Sequence, residues 1–206
     1  MGFYSEHILP HVIDYGASIP DVMKFRAKVV PLAYGDVLEV GMGSALNLRY
    51  CEAGKVRKVW GLEPSIGMRR KARKNLAKSS VPVEWLSLPG EEIPLDDNSV
   101  DSIVLTYTLC TIPDWKAAML QMRRVLKPGG KIFFCEHGRA PDTSVQKWQD
   151  RLNPVWKRIM GGCNLNRPVI ENITSSGFSI DWQESSYMEN SPRIASFMSV
   201  GAAVKE

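Results

Sequence analysis

The stretch VLEVGMGSALN, residues 37–47, constrains the fold more than any other part of the sequence. An apolar strand runs directly into Gly41-Met42-Gly43, and a helix-compatible segment follows. Gly41 permits a tight turn, and Gly43 lets the backbone approach a ligand with no side chain between them. The pattern predicts the first strand-turn-helix unit of an open α/β sheet with a ligand site at the turn. Two glycines that only shape the turn are the structural alternative.

Strand and helix patterns alternate from about residue 20 onward, which favours parallel strands joined by crossover helices. Strands are predicted at Asp36–Val40, Val56–Leu62, Val81–Trp85, Val100–Thr106 and Lys131–Glu136, and helices at Ala45–Ala53, Ile66–Ser79, Pro113–Leu126, Val145–Met160 and Arg167–Ser175. The last two β-compatible runs, Phe178–Tyr187 and Arg193–Val204, predict an antiparallel hairpin at the sheet edge. We expect a Rossmann-like, doubly wound, seven-stranded and mostly parallel sheet with one antiparallel edge strand.

The length of 206 residues predicts a single domain. Residues 1–35 are expected to form an N-terminal helical cap, 36–136 a cofactor-binding βα core, and 137–206 the substrate-side helices and the C-terminal hairpin.

The composition excludes several classes of protein. No apolar run is long enough for a membrane helix, and the N-terminus lacks a signal-peptide pattern, so a cytoplasmic protein is expected. The four cysteines contain no CxxC pair and are read as reduced, and no histidine has a cysteine at finger-like spacing, so no metal is expected. The net charge of +4 does not require nucleic acid.

Two acidic residues near the glycine turn narrow the ligand. Position 46 is Leu rather than the Gly or Ala of a dinucleotide fingerprint, and no GK[ST] follows the turn, which excludes a P-loop. Glu39, two residues before the turn, suits a ligand with positive charge. Glu63, twenty residues after Gly43, can accept both hydroxyls of a ribose, or can instead cap the helix after Pro64.

With these motifs the sequence resembles the class I S-adenosylmethionine-dependent methyltransferases over nearly its whole length. The resemblance lies in VLEVGMG, GLEPS, LPGEEIPLDDNSVDSIV and MRRVLKPGGKIFF. It implies S-adenosylmethionine as cofactor, S-adenosylhomocysteine as product, and no metal. It also implies these cofactor-binding residues: Gly41, Gly43 and Thr106 at the methionine part, with Glu39 nearby, Glu63 at the ribose, and Pro89, Gly90 and Glu91 at the adenine. Ala45 and Pro89 depart from the family pattern, which usually has a third glycine and an adenine-binding acid.

Residues 133–167 resemble the small animal alkyl-thiol S-methyltransferases, and the chain is also similar to bacterial enzymes that methylate hydrogen sulfide and methanethiol. The animal proteins carry an N-terminal membrane anchor, whereas this sequence is expected to begin at the domain. S-methylation of a small thiol (hydrogen sulfide, methanethiol or an alkyl thiol) to a thioether is the predicted reaction. The alternatives are N-methylation of a lipid amine such as phosphatidylethanolamine, C-methylation of a quinone, and cofactor binding without turnover.

His137, after the fifth strand, is the candidate general base, or else a histidine hydrogen-bonded in a loop. The predicted substrate-side residues are Tyr4, His7, His11, Arg26, Tyr107, Trp156, Cys163 and Asn164. Cys110 and Cys163 are read first as packing residues. The basic helix from Arg69 to Lys78 is read as a solvated face that leaves peripheral membrane contact open. Other expected partners are the small thiol substrate and, at most, a second copy of the chain; nucleic acid and a transmembrane segment are not expected.

Overall fold

A computed structural model describes residues 4–206, except for the side chain of Ser5, and shows a single seven-stranded sheet. The strand order across the sheet is β3-β2-β1-β4-β5-β7-β6. In chain order the strands are β1 Gly35–Val40, β2 Val56–Leu62, β3 Val83–Leu86, β4 Val100–Thr106, β5 Leu126–His137, β6 Phe178–Tyr187 and β7 Phe197–Lys205.

Strands β1 to β5 run parallel to one another, whereas β7 is antiparallel to both of its neighbours, β5 and β6. The predicted Rossmann-like, mostly parallel sheet with an antiparallel strand at one edge is therefore confirmed. The reversed strand is β7, which lies one position inside that edge, and β6 forms the edge itself.

Six α-helices connect and cover the strands among the described residues. They are α1 Leu9–Ser18, α2 Pro20–Val29, α3 Ile66–Leu76, α4 Trp115–Val125, α5 Thr143–Ile159 and α6 Val169–Thr174. A π-helical turn, Tyr4–Ile8, precedes α1, and 3₁₀ turns lie at Val30–Leu32, Leu46–Tyr50 and Arg193–Ala195.

The helix predicted at Ala45–Ala53 is instead the 3₁₀ turn Leu46–Tyr50. Ala45, directly before it, has the left-handed backbone angle φ of 60°, which interrupts a right-handed helix at its start. The difference matters for the site, because the short turn holds the side chain of Asn47 in the interior, where it is 1% exposed.

Each face of the sheet is covered by its own apolar cluster, as expected for a parallel sheet. Alternate residues of β1 point to opposite faces: Leu38 packs in one cluster and Val37 in the other. Helix α4 contributes Met119 and Met122 to the first cluster, whereas residues of the N-terminal cap contribute to the second. The core therefore consists of two layers separated by the sheet.

The order of the strands places a crevice at one edge. The chain moves outward from β1 through β2 to β3, and then returns to continue from β4 to β5 on the other side of β1. The connections after β1 and β4 therefore diverge, and such a switch point at the carboxyl ends of parallel strands is where ligands bind in open α/β sheets.

Within residues 4–206, no helix combines the length and the apolar content that would be needed to cross a bilayer.

Candidate active site

The glycine turn lies at the carboxyl end of β1 and leaves no room for a side chain at its first position. Gly41 has φ of +67°, and a Cβ atom there would clash with both Oγ1 and Cγ2 of Thr108. Gly43 also has positive φ, +58°. The turn therefore requires glycine for its backbone angles, and at Gly41 also for its contact with the residues that follow β4.

The Glu63 carboxylate closes this turn from the end of β2. Its Oε2 accepts a hydrogen bond of 2.9 Å from the backbone N–H of Gly43, and its Oε1 accepts one of 2.8 Å from Ser65. The cap of α3 is Ser65, whose Oγ accepts from the N–H of Met68. The sequence left open whether Glu63 caps this helix; Ser65 does so instead. The Glu63 carboxylate faces the glycine turn.

Glu39 is buried beside the same turn in a network of polar side chains from three other elements. Asn47 Nδ2 donates to Glu39 Oε1 and to Thr106 Oγ1, both at 2.9 Å. Arg26 of α2 donates through Nη1 to Asn47 Oδ1 at 2.9 Å and to Thr106 Oγ1 at 2.7 Å. The N-terminal cap is thereby tied to the carboxyl ends of β1 and β4.

Burial makes the ionised form of Glu39 costly. It raises the pKa of this carboxyl group to about 7, although the charge of Arg26 and the hydrogen bond from Asn47 act in the opposite direction. Burial also raises the pKa of Glu63, against the hydrogen bonds from Ser65 and Gly43. Two buried acids therefore flank the turn, and a positively charged ligand there would favour their ionised forms.

The predicted adenine segment packs against the start of α4. Gly90 is buried, and a Cβ atom there would lie 3.1 Å from Cδ1 of Ile112. Glu91 Oε1 accepts a hydrogen bond of 3.2 Å from the N–H of Asp114, the cap residue of α4, while Pro89 is exposed. The segment is thus held against the connection between β4 and α4.

A cavity of about 230 Å³ lies beyond the carboxyl ends of β4 and β5, under the N-terminal helices. Most of its lining is apolar. It is lined by Val12, Ile13, Gly16, Ala17, Ile19, Val22, Tyr107, Cys110, Thr111, His137, Trp156, Met160, Cys163, Met188 and Ala195.

Residues 106–108 connect this cavity with the glycine turn. Thr106 belongs to the network around Glu39, Tyr107 lines the cavity, and Thr108 packs against Gly41. The cavity and the glycine turn are therefore neighbouring parts of one candidate site.

A polar cluster forms one wall of the cavity. His137 Nε2 lies 3.1 Å from Cys163 Sγ, and Cys163 Sγ lies 3.5 Å from Cys110 Sγ. The hydrogen bond to Cys110 and burial raise the pKa of the Cys163 thiol far above its ordinary value. His137 Nδ1 is buried and has no hydrogen-bond partner.

The predicted substrate-side residues fall into three groups. Tyr107, Trp156 and Cys163 line the cavity, and the Nδ2 of Asn164 donates to the carbonyl oxygen of Cys110 at 2.8 Å. Arg26 lies deeper, in the network around Glu39.

The remaining three, Tyr4, His7 and His11, are exposed and lie outside the set of residues that line the cavity. The Tyr4 hydroxyl donates to the carbonyl oxygen of Ile159 at 2.9 Å, which fastens the N-terminal turn to the end of α5.

Sequence reasoning missed Asn47, Glu136 and the role of Cys110. Glu136 is fully buried, and its Oε1 accepts hydrogen bonds from the N–H groups of Thr108 and Leu109, at 2.7 and 3.1 Å. A signal was present for Glu136, because a carboxylate that ends the otherwise apolar run IFFC stands out. Nothing in the spacing predicts that Cys110 meets Cys163.

A larger cavity of about 400 Å³ lies on the outer side of α3, lined by three arginines with Ile66, Leu76 and Trp85. The lining includes neither the glycine turn nor His137, so we assign the candidate site to the smaller cavity.

Comparison with known proteins identifies the family. The family described as "Methyltransferase domain" matches residues 38–134, which run from β1 into β5 and include the glycine turn, Glu39 and Glu63. The chain belongs to the S-adenosylmethionine-dependent methyltransferases. The methyltransferase is 33% identical over 154 residues to a thiol S-methyltransferase, TMT1B, of Rattus norvegicus, a match that covers 71% of this chain and 62% of the relative.

Other relatives act on different substrates by name. The ubiquinone/menaquinone biosynthesis C-methyltransferase UbiE of Cupriavidus taiwanensis is 31% identical to this methyltransferase over 137 residues, 65% of this chain and 56% of the relative. A solved SAM-dependent methyltransferase from Methanosarcina mazei has a TM-score of 0.67 at 18% identity, covering 91% of this chain and 97% of that one, and so supports the fold. The chain spans about three fifths of the length of the thiol S-methyltransferase relatives.

Proposed function

We propose that this methyltransferase transfers the methyl group of S-adenosylmethionine to the sulfur atom of a small thiol. The observation that carries the proposal is the apolar cavity of about 230 Å³ at the carboxyl ends of β4 and β5, with a histidine and two cysteines on one wall. The similarity to the thiol S-methyltransferase TMT1B supports the same substrate class.

The residues around the glycine turn fit the donor. S-adenosylmethionine, when bound, supplies a methyl group on a positively charged sulfur. The buried carboxylate of Glu39 favours a cationic ligand, and Glu63 at the end of β2 offers acceptor oxygens to ribose hydroxyls. Gly41 and Gly43 keep the backbone bare where the ligand would approach, and Thr106 joins this region to the cavity.

The size of the cavity favours a small acceptor. Pockets for drug-sized ligands usually measure about 300–1,000 Å³, and this cavity of about 230 Å³ is smaller. A prenylated quinone or a phospholipid would extend well beyond it. Its mainly apolar lining suits the alkyl group of a small thiol, since burial of that group in the cavity would remove it from water.

The protein must align the thiol and assist the loss of its proton. A thiol with an ordinary pKa of about 8.5 is only slightly ionised at neutral pH, and the thiolate is the nucleophile. His137 is the imidazole in the cavity wall, and we propose that it assists deprotonation at the sulfur. Tyr107 and Trp156 bound the space in which the thiol would be oriented.

The acceptor is tested by measuring S-adenosylhomocysteine formation over hydrogen sulfide, methanethiol, larger alkyl thiols, phosphatidylethanolamine and quinols. We expect the small thiols to have the highest kcat/KM, by about tenfold or more, because a phospholipid or a prenylated quinone would extend beyond the cavity. A higher kcat/KM for phosphatidylethanolamine or a quinol would refute the proposal. S-adenosylhomocysteine binding without turnover on any acceptor would favour a cofactor-binding protein instead.

Two variants connect the activity with the cavity. His137→Ala should lower turnover much more than it lowers the affinity for S-adenosylhomocysteine, and unchanged turnover at saturating thiol would remove His137 from the mechanism. Ala17→Phe narrows the cavity and should raise KM for a larger alkyl thiol more than for methanethiol. Leu120→Phe, on the exposed side of α4, is the matched control and should change neither KM.

Quinone C-methylation is the second candidate, because the chain is 31% identical to the UbiE of Cupriavidus taiwanensis over the matched residues. The quinols in the panel test it directly. A preference for quinols would mean that the acceptor binds mostly outside the cavity.

A further inference from the structure

We propose that Cys110, His137 and Cys163 form a zinc site whose fourth coordination position opens into the cavity and accepts the sulfur of the substrate. The three residues lie at or after the ends of three different elements: Cys110 follows β4, His137 is the last residue of β5, and Cys163 follows α5. The fold brings them together at the wall of the candidate substrate cavity.

The three ligand atoms are already close to the spacing that zinc requires. One atom from each residue, two Sγ and one imidazole nitrogen, lies within 4.8 Å of the others. In tetrahedral coordination with Zn–S bonds of about 2.3 Å, two sulfurs are about 3.8 Å apart. Cys110 Sγ and Cys163 Sγ are 3.5 Å apart, and His137 Nε2 is 3.1 Å from Cys163 Sγ. Relative to tetrahedral spacing, the two Sγ atoms would have to separate by about 0.3 Å and the His137 nitrogen and Cys163 Sγ by about 0.4 Å. The third pair, Cys110 Sγ and the His137 nitrogen, lies within 4.8 Å.

The type and number of the ligands favour zinc at an open site. Thiolate sulfur and imidazole nitrogen are its preferred protein ligands, and Cys₂His with an exchangeable fourth ligand is one of the ligand sets of catalytic zinc. Zinc here would replace the hydrogen bonds that now join the three side chains. Each cysteine would release its proton to solvent, so that the two thiolates balance the charge of the ion.

In the described part of the chain, an acidic and a basic side chain lie near the cluster. The carboxylate of Glu136 precedes His137 in β5, and the half-buried guanidinium of Arg167 lies close enough to interact electrostatically with Cys110, Cys163 and Glu136. Zinc and two thiolates together carry no net charge, and the nearby charges of Glu136 and Arg167 nearly cancel each other. A third, substrate thiolate would add a negative charge, which Arg167 would partly compensate.

The inference rests on the proposed function in one respect, that the cavity takes a thiol. A thiol that coordinates zinc loses its proton to solvent and binds as the thiolate, which is the nucleophilic form. His137 would then assist deprotonation by holding the metal rather than by accepting the proton. The zinc–sulfur bond would also fix the position of the attacking sulfur, which an apolar cavity alone does less well.

Metal binding is measured first, without donor or thiol substrate, on the 206-residue chain kept reduced with a phosphine. Zn²⁺ is titrated in competition with a chromophoric chelator, and Co²⁺ is used as the spectroscopic probe for thiolate coordination. We expect one ion per chain with sulfur-to-cobalt charge-transfer absorption. Cys110→Ser and Cys163→Ser should each weaken the binding by about 100-fold or more, because each removes one direct ligand.

Cys51→Ser is the matched control, because Cys51 is buried but lies outside this cluster, and it should leave metal affinity unchanged. Circular dichroism and S-adenosylhomocysteine affinity check that the variants are folded. Failure of the wild-type protein to bind Zn²⁺, or equal binding by folded Cys110→Ser and Cys163→Ser variants, would overturn the proposal.

Substrate coordination is measured next. Methanethiol added to the Co²⁺ protein without donor should intensify the charge-transfer absorption, and an unchanged spectrum would overturn the proposed open position. Thiol methylation should fall about tenfold or more after chelation and return with Zn²⁺. Full thiol methylation by the metal-free protein would overturn the zinc proposal and leave the proposed function intact, whereas coordination of methanethiol without any methylation would refute the proposed function alone.

Discussion

Glu39→Gln should make the unliganded protein more stable at neutral pH. Glu39 is 3% exposed, and burial raises its pKa from 4.5 to about 7. At about 1.4 kcal/mol per pH unit, this difference corresponds to about 3 kcal/mol of destabilisation when the group is ionised. A glutamine keeps the acceptor oxygen for Asn47 Nδ2 and carries no charge, so the variant should recover most of this energy.

The sign of the effect depends on pH. Below pH 4.5 the carboxyl group is protonated in both the folded and the unfolded chain and contributes nothing. Between pH 4.5 and about 7 the unfolded chain loses this proton first, so the stability contributed by Glu39 falls as the pH rises. The gain from Glu39→Gln should therefore be about 3 kcal/mol at pH 8 and less than about 1 kcal/mol at pH 5.

Urea denaturation of both proteins at pH 5 and pH 8 measures this difference. Glu52→Gln is the control, because Glu52 forms an exposed ion pair with Lys55 and should change stability by less than about 1 kcal/mol at either pH. An equal effect of Glu39→Gln at both pH values, or a loss of stability at pH 8, would refute the reasoning.

The same residue should make donor binding depend on pH. If the ionised form of Glu39 binds the cationic donor, wild-type affinity for S-adenosylmethionine should be about tenfold weaker at pH 6 than at pH 8, because about one tenth of the groups are ionised at pH 6. Glu39→Gln should bind more weakly at pH 8 and lose this dependence. Calorimetric titration at the two pH values measures both, and a wild-type affinity independent of pH would contradict the role of the charge.

Three further substitutions test the buried side chains and the glycine turn that shape this part of the protein. Glu63→Gln should weaken S-adenosylhomocysteine binding by about tenfold or more, since hydrogen bonds to a charged group contribute about 1.5–3 kcal/mol; unchanged calorimetric affinity would contradict the ribose role. Gly41→Ala should destabilise by about 2 kcal/mol or more in thermal or urea denaturation, because the added Cβ meets Thr108 and the backbone angle is left-handed. Gln149→Ala should cost about 2–4 kcal/mol, because the buried Gln149 Nε2 lies within 3.0 Å of three backbone carbonyl oxygens from separate segments; a loss below about 1 kcal/mol would show that water replaces it.

Local patterns predicted the fold well. Strands β2, β4 and β6 have the predicted bounds, because apolar and β-branched runs bounded by polar residues are local signals. The helix predicted after the glycine turn failed for a local reason too: Ala45 has a left-handed conformation, which an alanine rarely adopts and which no pattern of apolar residues reveals.

The sequence indicates which candidate site residues lie together where one strand-turn unit determines it, but not where distant segments meet. Glu63 and Gly43 are twenty residues apart, and the regular βα unit fixes their relation. Arg26 and Thr106 are 80 residues apart, and Cys110 and Cys163 are 53 apart. Their contacts depend on how the N-terminal cap and the segment after α5 pack on the sheet, and spacing along the chain does not encode that packing.

At the carboxyl ends of the strands, binding of a cationic ligand and stability of the unliganded chain make opposite demands on the buried acids. An apolar cluster packs on each face of the sheet, whereas this edge buries the charged residues Arg26, Glu39, Glu63 and Glu136. Buried acids lower stability unless a positive charge meets them. Arg26, whose guanidinium is joined to Glu39 through Asn47, offsets only part of the cost of burying the Glu39 carboxylate. A cationic donor would supply the missing charge, so that binding and local stability increase together. The buried acids that lower the stability of the unliganded chain are therefore the ones that would give the site selectivity for a positively charged ligand.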